Sequence, residues 1–306
     1  MPADDTLRLR RGHVAARRTV LVTGASGFIG RAVCRELARC GVDVVGVGRA
    51  PDPQIPHVRY IQVATYEAIR TTSPAQCVHL AGSRKLSDDP AEVENEMRLA
   101  TRVARHLVRQ NFSRIIFSSS ASVYGDQIAT PRREDEMLAP QSGYAKLKMA
   151  VGEVFLSHGH TVARVANVYG PELPQGNALS DILKQIPGSG PIVVDDATPV
   201  RDYIHVTDVV RGLADLVLAD VSGVFNVGTG VGSSIGHLAQ SCVRLAGEGD
   251  RTVISRSQHG RSSTVILDPA KMLRVLGWRA AQPLAQGLQE LVSWWLQHGT
   301  PVMAAR

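Results

Sequence analysis

The stretch that most constrains this chain is VLVTGASGFIG, residues 20–30. The apolar run TVLVTG ends in glycine, and RAVCRELARCG, with helical period, follows at once. A continuous apolar run marks a strand buried on both faces, as in a parallel sheet. Gly24, Gly27 and Gly30 therefore stand at a strand–turn–helix junction. Glycine there permits a tight turn, close approach of backbone to a pyrophosphate, and close packing of helix on strand. The helix N-terminus presents free N–H groups and a positive dipole end to phosphates. This placement predicts a dinucleotide-binding loop.

The same rhythm continues. VDVVGVG, CVHLAG, RIIFSSS and TVARVANVYG read as strands; AEVENEMRLATRVARHLVRQN and SGYAKLKMAVGEVFLSHG read as amphipathic helices. Strands alternating with helices imply an α/β fold, a Rossmann-type doubly wound parallel sheet. After Pro171 the alternation gives way to Pro- and Gly-rich loops, with helices near 207–219 and 284–298. The expected organisation is a basic, disordered leader (1–18), a dinucleotide-binding Rossmann domain (19–170), and a smaller mixed C-terminal substrate lobe (171–306). Some strands of that lobe should return to the main sheet.

Net charge is +6, and Arg8, Arg10, Arg11, Arg17 and Arg18 against Asp4 and Asp5 place +3 of it in the leader. The mildly basic remainder suits an anionic small molecule and does not call for nucleic acid. No apolar run approaches the ~18–20 residues of a membrane span, and the leader lacks the apolar region of a secretory signal. Cys34, Cys40, Cys77 and Cys242 form no C-x-x-C pair and read as reduced core thiols of a cytoplasmic protein. HGH at 158–160 has no further ligand at metal spacing, so no metal site is expected.

The strand after the glycine loop should end in a residue that reads the adenosine ribose, usually Asp or Glu in NAD-binding proteins. Here that position is Gly48, followed by Arg49. A guanidinium can pair with a 2′-phosphate instead, which leans the reading to NADP over NAD.

Tyr144 and Lys148 lie four residues apart, on one face of a predicted helix, and Ser120 lies 24 residues before the tyrosine. In order along the chain stand VTGASGFIG, HLAG, SSSASVYG, YAKLK, ANVYGP, VRDYIHVTDV, FNVGTG and LGW. This ordered set, across about residues 19–298, resembles the extended short-chain dehydrogenase/reductase family, in its nucleotide-sugar epimerase, dehydratase and reductase branch. The resemblance implies a catalytic Ser120–Tyr144–Lys148 trio. A free phenol titrates near pH ~10, too high for acid–base work at neutrality. The Lys148 ammonium would favour its phenolate, so that Tyr144 exchanges a proton with a sugar oxygen. Lys148 would also hold the nicotinamide ribose, and Ser120 the reacting oxygen.

By the same resemblance the cofactor would be lined by Gly24, Ser26, Gly27, Phe28, Ile29, Gly30, Arg49, Leu80, Ala81, Gly82 and Asn95, besides Tyr144 and Lys148. Substrate contacts fall on Arg84, Ser120, Asn167, Arg201 and one further arginine, Arg256 or Arg261. Guanidinium suits a diphosphate by geometry and by permanent charge. A homodimer is implied. One departure concerns the adenine: where the family has Gly-Asp after its third strand, this chain runs ATYE, leaving Thr65 as a replacement. Trp278, Trp294 and Trp295 read as packing residues.

The residues after Ser120 narrow the reaction. Family dehydratases carry Asp-Glu there and decarboxylases a glutamate; this chain has Ala121 and Ser122. Two reactions on a nucleotide-diphosphate sugar remain, a 4-ketoreductase and a 4-epimerase, with Arg49 leaning to the reductase. The alternatives are a non-catalytic NADP-sensing protein of the same fold, against which the retained trio argues, and a reductase of a non-sugar carbonyl, which would not need Arg201 or Asn167.

Overall fold

The computed structural model describes residues 18–71, 75–82, 89–257 and 263–299. The expected leader lies almost wholly outside them, as do Arg84 and Arg261.

The first half runs β1 (Thr19–Thr23), α1 (Phe28–Arg39), β2 (Asp43–Gly48), β3 (Val58–Gln62), β4 (Ala75–His79), α2 (Pro90–Leu107), β5 (Phe112–Ser120), α3 (Gly143–Leu156) and β6 (Thr161–Val165). The second runs β7 (Asn167–Tyr169), α4 (Ala178–Leu183), β8 (Ile192–Val194), β9 (Val200–His205), α5 (Val206–Ala219), β10 (Gly223–Val227), β11 (Gly232–Ser234), α6 (Ile235–Leu245), β12 (Val253–Ser255), β13 (Thr264–Val265), α7 (Ala270–Leu276) and α8 (Leu284–His298).

The main sheet has the order β10-β6-β5-β4-β1-β2-β3, with every neighbouring pair parallel. Alternate residues of each strand feed opposite cores. Ile116 packs with Val20, Val22 and Leu213 of α5, while Ile115 and Phe117 pack with Leu107 of α2 and Phe155 of α3. Helices thus cover both faces, as the apolar strands require. Strand order reverses between β1 and β4, and ligands of open α/β sheets bind in the crevice beyond the strand C-termini at that point.

TVARVANVYG is not one strand. β6 ends at Val165, the Ala166 N–H bonds the Val227 carbonyl at 3.0 Å, and β7 pairs with β9 in a second sheet. The chain changes sheets at Ala166, the last residue to bond β10. β9 also pairs antiparallel with β11 and parallel with β13, and β8 pairs with β12. Leu183, Leu238, Leu291 and Trp295, from α4, α6 and α8, share the core of this lobe. Trp278 is buried over Gly212. Of the four thiols, Cys34, Cys77 and Cys242 are buried, whereas Cys40 caps α1 and is exposed.

Candidate active site

The glycine loop joins β1 to α1 at the switch point. Gly24 has φ +70°, and a Cβ there would stand 2.9 Å from the backbone nitrogen of Ala81. A Cβ at Gly30 would be driven into the Gly24 carbonyl oxygen. The loop folds this tightly because neither residue has a side chain. These residues fit a dinucleotide pyrophosphate.

The turn after β4 lies against this loop. The Leu80 N–H bonds the Thr23 carbonyl (3.3 Å), and the Ala81 N–H bonds the Thr23 hydroxyl (3.4 Å). Beneath it, Thr23 Oγ1 and His79 Nδ1 are 2.7 Å apart and buried. Burial, aided by the nearby Lys148 charge, holds His79 down at about 3, so it is neutral at physiological pH. Gly82 carries the turn on toward Lys148: a Cβ on it would be 3.9 Å from Nζ.

α3 starts at Ser142, whose hydroxyl accepts from the Ala145 N–H at 3.2 Å. Gly143 lets Val93 of α2 press against the helix start. One turn in, Lys148 Nζ stands 5.7 Å from the centre of the Tyr144 ring. It donates to the Ser118 carbonyl at 2.7 Å and lies over Phe117. Burial lowers the Lys148 ammonium to about 8, so it stays mostly charged at neutrality. Ser120 ends β5, and its hydroxyl accepts from the N–H (3.2 Å) and hydroxyl (3.0 Å) of Ser122. It therefore caps a 3-10 turn, Ala121–Tyr124, as well as standing at the crevice. Ser120 and Tyr144 are both half-buried. The arrangement combines a phenol, a buried ammonium and a fixed hydroxyl beside a dinucleotide cradle. It can move a proton at an oxygen while a hydride moves nearby.

The other expected residues divide. Arg49 is exposed just past β2. A Cβ on Gly48 would displace the Tyr60 hydroxyl, which fills that space. Asn95 is not brought to the cluster. It is exposed and accepts from Arg98 at 2.8 Å. Val93 faces α3, and two helical residues on from it is the opposite side. Asn167 stands opposite Tyr203 in the register of β7 on β9. Arg201 bonds the backbone (2.9 Å) and hydroxyl (2.8 Å) of Ser263, with the Asp126 carboxylate 3.8 Å away. Asp126 was missed from the sequence: it directly follows SSSASVYG, but its partner is remote in the chain. Thr65 caps a 3-10 turn by accepting from the Glu67 N–H at 3.4 Å.

Two cavities are present, neither lined by Ser120, Tyr144 or Lys148. One, of about 330 Å³, lies between the serine turn and the approach to α3, among Tyr124, Asp126, Arg132, Met137 and Gln141. The other, of about 600 Å³, lies in the second lobe among Asn177, Asp181, Val194, Asp196, Ile235 and Arg256. Among the described residues, no helix is long and apolar enough to cross a membrane.

This fold and this cluster define a short-chain dehydrogenase/reductase of the extended type. The chain belongs to the NAD dependent epimerase/dehydratase family, whose model matches residues 20–228. It is 30% identical to a UDP-glucose 4-epimerase of Mycolicibacterium smegmatis over 89% of this chain and 96% of that one. It is 25% identical to a dTDP-4-dehydro-6-deoxy-D-allose reductase of a Streptomyces species, over 92% and 98%. Among solved structures, MoeE5 in complex with UDP-glucuronic acid and NAD superposes with a TM-score of 0.78 at 27% identity, covering 91% of this chain and 99% of that one.

Proposed function

We propose that this protein is a nicotinamide-dependent oxidoreductase acting at C4 of a nucleotide-diphosphate sugar, with 4-epimerisation as its net reaction. The observation that carries this reading is the Tyr144–Lys148 pair on α3, with Lys148 anchored on the Ser118 carbonyl at the end of β5 and facing the Gly82 turn. When bound, the nicotinamide supplies the hydride acceptor and donor. Gly24–Gly30, Leu80–Gly82 and Lys148 would hold the dinucleotide. Tyr144 takes the proton of the C4 hydroxyl as that carbon is oxidised and returns it as the carbonyl is reduced. Ser120 donates to the same oxygen and fixes its place. Lys148, anchored on the Ser118 carbonyl, keeps a positive charge beside the phenol. Arg201 and Asn167 hold the diphosphate, and Arg256 lines a cavity large enough for the nucleoside.

The epimerase reading is supported by relatives in two bacterial genera named UDP-glucose 4-epimerase. A second reading, a 4-ketoreductase using NADPH, is favoured by Arg49 where a carboxylate would read an NAD ribose, and by the reductase relative. The two predict different cofactor behaviour. Denaturing the purified protein and identifying the released nucleotide separates them. Stoichiometric NAD supports the epimerase. An empty protein that binds NADPH more tightly than NADH supports the reductase. A protein that neither carries nor binds any dinucleotide contradicts both.

A further inference from the structure

The 3-10 turn after β5 carries a hydroxyl that its own fold does not require. Ser120 Oγ accepts from the Ser122 N–H at 3.2 Å and from the Ser122 hydroxyl at 3.0 Å. The N–H alone caps the turn Ala121–Tyr124, and any residue but proline would supply it. Among the described residues, the Ser122 hydroxyl makes no other hydrogen bond. Both ends of the turn are fixed. Upstream, Lys148 Nζ donates to the Ser118 carbonyl at 2.7 Å and the Ser119 hydroxyl to the Lys148 carbonyl at 3.5 Å, which ties the end of β5 to α3. Downstream, the buried Arg164 donates to the Tyr124 hydroxyl at 2.6 Å, and that hydroxyl donates to the Asn226 side chain at 2.9 Å. The buried Arg132 donates to the Tyr124 carbonyl at 3.3 Å. The two guanidiniums lie 4.7 Å and 5.3 Å from the centre of the Tyr124 ring. Ser122 is half-buried between these anchors, so its hydroxyl is held on Ser120 before any ligand arrives.

We propose that Ser122 is a positioning residue for the C4 chemistry: its hydroxyl takes the second lone pair of Ser120 and makes Ser120 a donor only. This rests on the C4 reading above. A serine hydroxyl has one hydrogen and two lone pairs. The Ser122 N–H occupies one lone pair and the Ser122 O–H the other, so the Ser120 hydrogen is what remains for a substrate oxygen. An oxygen that accepts two hydrogen bonds is also the stronger donor, because the chain of bonds polarises. Two consequences follow for the reaction. While C4 carries a hydroxyl, Ser120 has no free lone pair to receive its proton, and that proton is directed to Tyr144. As the C4 oxygen gains negative charge, the Ser120 O–H stabilises it, and this bond is stronger in the transition state than in the bound sugar. Alanine at 122 keeps the cap but frees the lone pair and weakens the donor.

The test is a double-mutant cycle in the full-length, NAD-loaded protein, with UDP-glucose and dTDP-glucose as substrates. Steady-state C4 inversion is compared for the wild type, Ser122→Ala, Ser122→Thr, Ser120→Ala and the Ser120→Ala/Ser122→Ala double variant, with thermal unfolding as a check on folding. Calorimetric titration of the sugar nucleotide into Tyr144→Phe, with and without Ser122→Ala, reads binding without chemistry. Loss of one hydrogen bond is expected to lower kcat in Ser122→Ala about 3–10-fold, with sugar-nucleotide affinity kept within about 2-fold. Ser122→Thr, which keeps the hydroxyl, is expected to keep kcat near that of the wild type. In the Ser120→Ala background, Ser122→Ala is expected to change kcat by less than about 2-fold, because it acts through Ser120. An undiminished kcat in Ser122→Ala, an equal loss in both backgrounds, or an affinity that falls as far as kcat would overturn the inference while leaving the C4 reading intact. A wild type that inverts neither sugar would overturn that reading, and this inference with it.

Discussion

Replacing Lys148 with methionine gives the most quantitative prediction. An ordinary lysine titrates near 10.5, and burial holds Lys148 at about 8. The folded chain therefore binds this proton less tightly than the unfolded chain. Below pH 8 both states are protonated, and the fold carries the full cost of the buried charge. Between 8 and 10.5 the folded state releases the proton while the unfolded state keeps it, so the cost fades as pH rises. A gap of about two and a half pH units corresponds to about 3 kcal/mol at pH 7, falling to about 1 kcal/mol at pH 10. At about 2.1 cal/mol/K per residue of unfolding entropy, the relief of about 2 kcal/mol is worth roughly 3–4 °C in a chain of this length. Methionine keeps the apolar stem and has no proton to release. The thermal midpoint of the wild type, minus that of Lys148→Met, should therefore rise by about 3–4 °C from pH 7 to pH 10. Titrations that do not depend on Lys148 cancel in that difference. Parallel curves across this range would refute the claim that Lys148 is a buried ammonium.

Tyr144→Phe should lower turnover about 10²–10⁴-fold while leaving cofactor affinity within a few-fold, measured by steady-state kinetics and titration. Gly30→Ala, which drives a methyl into the Gly24 carbonyl, should lose at least about 1–3 kcal/mol of stability and most dinucleotide binding. Denaturant unfolding and a binding titration check both. Asp202→Ala should be among the more destabilising changes in the second lobe. The buried carboxylate accepts from the N–H groups of Thr229, Gly230 and Leu267 and from the Thr229 hydroxyl, and each donor left unsatisfied costs about 1–3 kcal/mol. Asp202→Asn, which keeps one acceptor, should lose less in the same unfolding assay.

The parts legible in the sequence are those written in local pattern. Continuous apolar strands, helical periods between them and a glycine triad at one junction specify a covered parallel sheet with a phosphate loop at its switch point. Four-residue spacing puts Tyr144 and Lys148 on one helical face, as the structure has them. What local pattern cannot show is pairing between distant segments. TVARVANVYG looks like one strand because its apolar run has no break; past Ala166 the chain pairs instead with β9, more than thirty residues on. The resemblance implies Arg201 as a diphosphate-binding cation, but it does not show that the guanidinium rests on Ser263 beside Asp126. Asn95 sits in a helix of the right kind but on its outer side, and only the position of Val93 against Gly143 reveals which side is inner. At ATYE the Thr65 hydroxyl is taken up by the turn it caps, which the sequence does not show.

The most direct test of the account follows the hydrogen at C4. The NAD-loaded protein is given UDP-glucose and dTDP-glucose carrying deuterium at C4, and the sugars are analysed by NMR. The account predicts inversion at C4 with the deuterium retained on that carbon, and loss of this activity in Tyr144→Phe. Washout of the deuterium during inversion, or inversion undiminished in Tyr144→Phe, would contradict it.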